Sequence, residues 1–434
     1  MRRVLTGLLT TALLTSPLTT SVARAAEPLP VPTTSRASVA ADGTQANRES
    51  LTPALSGDGR FTAFGSYASN LVPGDTNGVQ DVFVHDEVTG STERVSVATD
   101  GTQGNDASFS PQISRDGRYV GWTSSARTLV AGDTNNVSDV FVHDRQTGTT
   151  TRISVAPDGT QTRYASSNPS ISADGRWVSF QSDAVNLLPG VPTGQVYVRD
   201  MTTGALTVAS LGEDGSPAAW PGASGARITA DGRFVSFVST TPLVADDTNT
   251  EWDVYRRDLV TGTTTLVSVP AGEAVSDGSS YQSSISAGGR YIAFLSSAST
   301  MVPDDFNGTG DVFVRDVEAG ITTRVSTHPD GSESALGANW PDISADGRYI
   351  ALDTRSYLSD YDGFQPAGQV FVKDRITGAV TIASARPDGG PSNNQSGQAA
   401  ISPDGTAVAF YSYSTNLVDG DTNGAVDVYG QRRR

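Results

Sequence analysis

Five copies of an acidic motif are the residues in this sequence whose types and spacing best suit metal binding. The motif reads Asp-x-Asn-x-x-x-Asp, and its copies are Asp75/Asn77/Asp81, Asp133/Asn135/Asp139, Asp247/Asn249/Asp253, Asp305/Asn307/Asp311 and Asp421/Asn423/Asp427. Carboxylate and amide oxygens are the hard ligands that calcium prefers, so one interpretation is a calcium site in each copy. Because Asp and Asn also form polar turns and tolerate left-handed backbone, the alternative is a structural loop without metal.

Aromatic residues form a second set of candidates, in this case for ligand binding. Four of them precede the first strand of a predicted repeat: Tyr164, Trp220, Tyr281 and Trp340. The fifth, Trp252, lies in a loop between two strands. Exposed rings beside polar loops suit stacking on sugars or anchoring a protein partner. The alternative is that they pack between neighbouring loops. Trp122 and Trp177 fall within apolar strands and are expected in the core.

Side chains for catalysis are scarce. Two of the three histidines, His85 and His143, share a repeat position with arginine or lysine elsewhere, which predicts exposed strand positions, and His328 stands alone. The sequence has no Gly-x-Ser-x-Gly nucleophile elbow, phosphate-binding glycine loop or dinucleotide fingerprint. Acidic residues are plentiful on the predicted loops, but no pair departs from the repeats: Glu49, Asp106, Glu213, Glu273 and Asp342. We therefore assign no catalytic residue, and enzymatic activity stays open.

The elements that position these residues repeat along the chain. A Ser-x-Asp-Gly-Arg segment or a close variant recurs every 57 or 58 residues, centred on Asp58, Asp116, Asp174, Asp231, Gly288, Asp346 and Asp404. Each repeat reads as four strands joined by Asp-Gly and Thr-Gly turns and one long loop. Stacking such sheets around an axis covers their faces and protects their edges. The sequence therefore predicts an all-β, seven-bladed β-propeller of four-stranded antiparallel blades.

The two ends of the repeat array predict how the ring closes. The last repeat stops after its third strand, and residues 35–39 match the fourth strand of other repeats, such as residues 93–97. An N-terminal strand is therefore expected to complete blade seven.

Chain direction divides each blade between two rims. The tight Asp-Gly and Thr-Gly hairpins share one rim, here the tight-turn rim, and the long variable segments share the other, the long-loop rim. Binding residues concentrate on variable loops of a rigid scaffold, so the long-loop rim is the expected functional face. On the tight-turn rim, six arginine–aspartate bridges are expected: Arg60–Asp86, Arg118–Asp144, Arg176–Asp200, Arg233–Asp258, Arg290–Asp316 and Arg348–Asp374.

Composition and the N-terminus indicate where the protein works. The chain has 434 residues, 47 acidic and 30 basic side chains, a formal net charge of −17 and no cysteine. That balance argues against nucleic-acid and anionic-membrane partners, and disulfide and thiolate chemistry are excluded. Residues 1–25 are typical of a signal peptide, residues 26–35 of a proline-rich lead-in, and residues 36–434 of one propeller domain. A secreted or periplasmic protein without a transmembrane segment is expected.

The recurring Asp-Gly-Arg-Tyr-(Val/Ile)-Ala-Phe and Asp-Val-Phe-Val-x-Asp elements, followed by Thr-Gly, resemble those of TolB-type, WD-repeat-like bacterial β-propellers. The resemblance covers residues 36–430. It implies the fold but not an activity, because such propellers include binding scaffolds, periplasmic complex components, polysaccharide lyases and the lid domains of peptidases.

Two interpretations of function follow. The preferred one is a secreted, monomeric, non-enzymatic scaffold that binds a protein or a cell-surface glycan through the long-loop rim, with calcium as a stabilising ion. The alternative is a polysaccharide-active enzyme, a lyase or a glycosidase, with its site at the channel mouth. A glycosidase needs two carboxyl groups about 5–9 Å apart.

Overall fold

A computed structural model describes residues 33–272, 275–356, 358 and 367–433. The predicted signal peptide, residues 26–32 of the lead-in and Glu273 lie outside the described residues. The described residues form 28 strands in seven four-stranded antiparallel sheets. They contain no helix, and so none that could span a membrane. The predicted seven-bladed propeller is confirmed.

The strands fall into four sets by their place in the blade. The first strands, nearest the axis, are β2 (Ser50–Leu55), β6 (Ser108–Ile113), β10 (Ser166–Ile171), β14 (Ala223–Ile228), β18 (Ser280–Ile285), β22 (Ala338–Ile343) and β26 (Ser396–Ile401). The second strands are β3 (Phe61–Ser66), β7 (Tyr119–Ser124), β11 (Trp177–Ser182), β15 (Phe234–Ser239), β19 (Tyr291–Ser296), β23 (Tyr349–Thr354) and β27 (Ala407–Ser412).

The third strands are β4 (Asp81–Asp86), β8 (Asp139–Asp144), β12 (Gln195–Asp200), β16 (Asp253–Asp258), β20 (Asp311–Asp316), β24 (Gln369–Asp374) and β28 (Asp427–Arg432). The fourth strands are β5 (Thr92–Arg94), β9 (Thr149–Arg152), β13 (Leu206–Val208), β17 (Thr263–Leu266), β21 (Ile321–Arg324), β25 (Val380–Ile382) and, for blade seven, β1 (Thr33–Arg36).

The hydrophobic core lies between neighbouring blades. Second and third strands are apolar on both faces, and Trp122 of β7 stacks on Phe141 of β8 with 6.0 Å between ring centroids. Both side chains pack against Val82 and Val84 of the preceding blade. Trp122 is fully buried, as predicted. Trp177 is half-buried and packs against the core beside blade four.

The ring closes as the sequence predicts. β1 pairs antiparallel with β28, from Thr33↔Arg432 to Arg36↔Tyr429. Ser38 Oγ reinforces this seam by donating a hydrogen bond to Asp427 Oδ1 at 2.5 Å. The strand begins at Thr33, so residues 33–35, predicted as the end of the lead-in, belong to the sheet.

The six predicted bridges on the tight-turn rim are present and bidentate. Arg118, for example, donates from Nε to Asp144 Oδ1 at 2.8 Å and from Nη2 to Asp144 Oδ2 at 2.6 Å. The same guanidinium lies 4.7 Å from the ring centroid of Tyr119. The other five pairs repeat this geometry.

Every first strand contains a β-bulge. In β6 the register with β7 shifts between Phe109 and Gln112, and Ser110 inside the bulge has a φ of 54°. The equivalent residues of the other blades also have positive φ: Thr52, Asn168, Gly225, Gln282, Trp340 and Gln398. A bulge re-aims a side chain, and left-handed backbone is strained for a non-glycine residue. Six of these seven residues are not glycine, so the strain recurs around the axis.

Candidate functional site

A cavity of about 560 Å³ occupies the central channel. All seven first strands contribute to its wall. The lining includes Tyr281 near the start of β18, where the first strands face the long-loop rim, and it continues to the last residues of these strands, such as Leu55 and Ile113. The cavity therefore runs along the channel from the bulges towards the tight-turn rim.

The bulge residues form a ring around this cavity, here the bulge ring: Thr52, Ser110, Asn168, Gly225, Gln282, Trp340 and Gln398. Its members are hydroxyl and amide side chains, one indole and one glycine, and none is charged. Strained backbone is retained where the surrounding structure enforces it, and it often marks functional positions. The ring presents neutral hydrogen-bonding groups and one large aromatic face to whatever enters the channel.

The structure separates the five predicted aromatic residues into two groups. Trp340 and Tyr281 line the cavity, with 44% and 37% of their surface exposed. Both lie within first strands, not before them, because those strands begin two residues and one residue earlier. Tyr164 and Trp220 are exposed outside the cavity lining. Trp252 is half-buried, and its ring lies 6.4 Å from that of Tyr281.

Deeper in the channel the wall carries one cation and one anion. Arg227 and Asp342 occupy the same strand position in blades four and six. Asp342 accepts hydrogen bonds from Ser284 Oγ at 2.6 Å and from Ile401 N at 2.8 Å. Burial raises the pKa of Asp342 and lowers that of Arg227, whose positive charge is favoured in turn by Asp342. Asp342, expected on a loop, is thus a strand residue that ties blade six to both neighbours.

A second carboxyl group near the channel is Asp353 of β23. The equivalent positions of other blades include Thr123 and Gln181, whose side chains accept hydrogen bonds from the backbone of the next bulge. Asp353 Oδ1 is buried without a hydrogen-bond partner. Burial raises the pKa of Asp353 to about 7. The sequence analysis missed this residue, although an acid at this position occurs in blade six alone.

The structure brings together the three residues of each Asp-x-Asn-x-x-x-Asp copy, and it adds a residue that the motif does not include. In blade two, Asn135 Nδ2 donates to Asp139 Oδ2 at 2.9 Å. Arg152 of the fourth strand places Nη1 3.0 Å from Asp133 Oδ1 and 3.2 Å from Asp139 Oδ2. Arg94, Arg324 and Arg36 approach the acidic groups of blades one, five and seven in the same way. A guanidinium therefore supplies the counter-charge in four of the five copies.

The motif asparagines make the contacts of a polar turn, which differ from the ligand role that the calcium interpretation gives them. In three blades the side-chain oxygen of the asparagine accepts a hydrogen bond from the backbone N–H two residues later. The distances are 3.2 Å for Asn77, 2.8 Å for Asn307 and 3.0 Å for Asn423. Their amide nitrogens donate to the last aspartate of the motif, at 2.7, 2.8 and 2.9 Å. Asn135 and Asn249 accept the same backbone hydrogen bond.

These contacts have a physical reason. An Asx turn satisfies the amide oxygen within the loop, and the amide hydrogens point at the carboxylate oxygen to which a cation would bind. In blades one, two, five and seven the motif asparagine therefore contacts the loop backbone through its oxygen and the last aspartate through its nitrogen, which favours the alternative of a structural loop. The sequence analysis did not foresee these donor contacts, because residue type and spacing do not reveal which end of the amide faces the carboxylate.

Blade four is the exception. Leu266 stands where the other four copies have arginine, since it pairs with Tyr255 as Arg152 pairs with Phe141. Asp247 accepts a hydrogen bond from the Tyr255 hydroxyl. Burial raises the pKa of Asp253 to about 7, and the charge of Asp247 acts in the same direction.

In blade five the acidic cluster is larger. Asp305, Asp311 and Glu333 can place one carboxylate oxygen each within 4.8 Å of one another. Arg324 also lies there, 2.8 Å from Glu333 Oε1. Burial raises the pKa of Asp305 to about 6, Asp311 adds to that rise, and Arg324 opposes it.

The expected exposure of His85 and His143 is wrong. They are 5% and 7% exposed, because the connection from the preceding blade covers this strand position. His85 Nδ1 shares a hydrogen bond with Thr92 Oγ1, which donates to Val39 O. Lys373 at the same position donates to Thr327 O and His328 O. These side chains join neighbouring blades.

Comparisons with known proteins agree on the fold. No family model and no curated protein matches the chain. Among solved structures, an oligogalacturonate lyase from Vibrio parahaemolyticus is 14% identical, with 93% of this chain and 97% of that chain covered and a TM-score of 0.53. The β-propeller domain of the Trilobed protease from Pyrococcus furiosus is 11% identical, with 86% and 96% covered and a TM-score of 0.52.

A putative TolB from Agrobacterium tumefaciens is also similar, at 16% identity, with 64% of this chain and 80% of that chain covered and a TM-score of 0.41. The class of protein that the fold defines is a seven-bladed β-propeller. At these identities the similarity concerns the fold and not an activity.

Proposed function

We propose that this protein is a secreted, non-enzymatic binding propeller that takes a glycan into the channel mouth on its long-loop rim. The observation that carries the proposal is the bulge ring. Seven repeats share one position with left-handed backbone, yet its residues are hydroxyl and amide side chains, one tryptophan and one glycine. A position kept only for folding would repeat its residue as the tight-turn rim does.

The chemistry of the cavity favours a sugar over a protein surface. The Trp340 and Tyr281 side chains offer apolar faces beside polar groups, as stacking on a sugar ring requires. The hydroxyl and amide groups of Ser110, Asn168 and Gln398 can donate to and accept from sugar hydroxyls. A cavity of about 560 Å³ suits a small ligand or a chain end, whereas a stable protein interface buries about 800 Å² on each partner.

The test is binding of the mature protein to a panel of neutral and acidic oligosaccharides by isothermal titration calorimetry. Trp340→Ala is expected to weaken binding by roughly 30-fold, as loss of a central aromatic contact does. Trp220→Ala is the matched control, because this tryptophan is exposed on the same rim but does not line the cavity. Equal losses in both variants, or binding of a protein partner and of no glycan, would contradict the proposal.

A second candidate, a polysaccharide-active enzyme, is favoured by Asp353. Its pKa of about 7 is suited to general acid catalysis. Against this, Asp342 is fully engaged by Ser284 and Ile401. The same oligosaccharides incubated with wild type and with Asp353→Asn separate the two candidates. Cleavage by wild type that the variant lacks identifies an enzyme, and intact sugars that still bind support the scaffold.

The secreted location rests on the predicted signal peptide. Expression of the full chain is expected to release a protein that starts at residue 26, as measured by intact mass of the exported product. Retention of residues 1–25 in the mature protein would remove this part of the proposal.

A further inference from the structure

Blade four lacks the counter-charge that the other copies of the acidic motif contain. Its Leu266 replaces an arginine in contact with two carboxylates. The two blades without the motif, three and six, also have an apolar residue at this strand position, Val208 and Ile382. Among the described blades, arginine and the motif are therefore either both present or both absent, except in blade four, which has the motif without the arginine.

The two motif carboxylates of blade four are buried. Asp247 is 6% exposed and Asp253 is 1% exposed. Asp253 Oδ1 accepts a hydrogen bond from Ser268 Oγ at 2.6 Å, but Oδ2 is buried without a hydrogen-bond partner. In blade two the equivalent oxygen accepts from the motif asparagine. Asn249 Nδ2 donates to Ser276 O at 3.3 Å, as Asn135 Nδ2 does to Thr162 O in blade two. Asn249 also lies close enough to Asp253 to oppose the rise of its pKa.

An uncompensated buried carboxylate is costly, and a second one beside it adds to the cost. The negative charge of Asp247 acts on Asp253, and Leu266 contributes no counter-charge. Oxygen-only sites with two carboxylates suit a hard divalent cation such as calcium and not a soft metal.

We propose that blade four holds one calcium ion between Asp247 and Asp253, at the place that an arginine guanidinium takes in blades one, two, five and seven. The ion replaces the missing side-chain charge. Of the five sites that the motif predicts, this is the one that the structure leaves without an internal cation. The proposal is independent of glycan binding in the channel.

The experiment is calcium titration of the chelator-treated mature protein by calorimetry, together with thermal melts in EDTA and in millimolar calcium. We expect one equivalent of bound calcium and a rise of a few degrees in melting temperature. Asp253→Asn is expected to abolish both. Asp139→Asn is the matched control in blade two, because Arg152 already occupies that site, and it is expected to keep one equivalent.

A second variant tests whether the loss of calcium binding in Asp253→Asn results from misfolding. Leu266→Arg installs the blade-two arrangement in blade four, so it is expected to abolish calcium binding while keeping the melting temperature in EDTA at or above that of wild type. Absence of calcium binding by wild type, five bound equivalents, or loss of binding in Asp139→Asn would each overturn the proposal.

Discussion

Aspartate has opposite electrostatic surroundings on the tight-turn rim and beside the channel. On the tight-turn rim, the Arg118 guanidinium lowers the pKa of Asp144 to about 2, and the arrangement recurs in six blades. Beside the channel, burial without a counter-charge raises the pKa of Asp353 to about 7, in one blade. Repetition with complete pairing marks the part of the molecule that holds the fold. Departure from the repeat with incomplete pairing marks the part that is available to a ligand.

The largest expected effect tests this contrast through pH. Between about pH 4 and pH 7 Asp353 is protonated in the folded protein and ionised in the unfolded chain, so folding takes up a proton. Stability should fall by up to about 4 kcal/mol as the pH rises through that range. Urea denaturation as a function of pH measures this slope. Asp353→Asn is expected to make it shallower by the contribution of Asp353, while Asp253 and Asp305, whose pKa values are also raised, keep theirs.

Asp144→Asn is the control with the opposite sign. The lowered pKa of Asp144 contributes stability above about pH 4, which is lost as the pH falls towards about 2. This variant is therefore expected to leave the slope between pH 4 and pH 7 unchanged. A wild-type protein whose stability does not depend on pH in that range would remove the contrast between the two regions.

A smaller effect is expected from glycine packing on the tight-turn rim. Gly117 has a φ of 74°, and an added Cβ would lie 2.2 Å from Cδ2 of Phe61 in the preceding blade. Gly117→Ala is expected to destabilise the protein by about 2–4 kcal/mol through strain and overpacking. Gly148→Ala, also at positive φ but with open space around it, should cost about 1 kcal/mol. Equal losses in the two urea titrations would show that contact between blades does not matter there.

The smallest effect concerns the bulge ring. Ser110→Gly relieves left-handed strain, so we expect stabilisation by up to about 1 kcal/mol together with weaker glycan binding. Stability and binding would thus move in opposite directions, which is the signature of a position kept for function. Destabilisation of this variant would instead assign Ser110 a structural role.

The sequence was sufficient for features that every repeat shares. The spacing of the repeats predicts the blades, and the unmatched last repeat predicts the closing strand. Blade seven has Thr406 and Arg432 in place of the arginine and the aspartate, so the two partners are lost together, which supports the bridges. Features that depend on the approach of distant strands were not predicted. The first strands begin before Tyr281 and Trp340, and each contains a β-bulge that no local sequence pattern predicts.

The contacts of the Asp-x-Asn loops could be predicted from the sequence only in part. Their arginine partners lie on the fourth strand, 13 residues after the last motif residue in blade two, so the motif alone does not include them. A comparison among the repeats could have found them, because arginine is present where the motif is present, with Leu266 as the exception. The burial of His85 was missed because strand alternation describes one sheet, whereas the covering residues belong to the connection from the preceding blade.

The seam between β1 and β28 has a consequence for how the molecule is assembled. The paired residues Ser35 and Gly430 are separated by 395 positions, so β1 cannot pair until β28 has been synthesised. Contacts between such distant residues carry a high loop-closure cost and slow the rate of folding. Six blades can form in order along the chain, while the seventh is completed only after β28 has left the ribosome. A truncated product would therefore remain an open arc with unpaired sheet edges, the form in which β-rich chains aggregate.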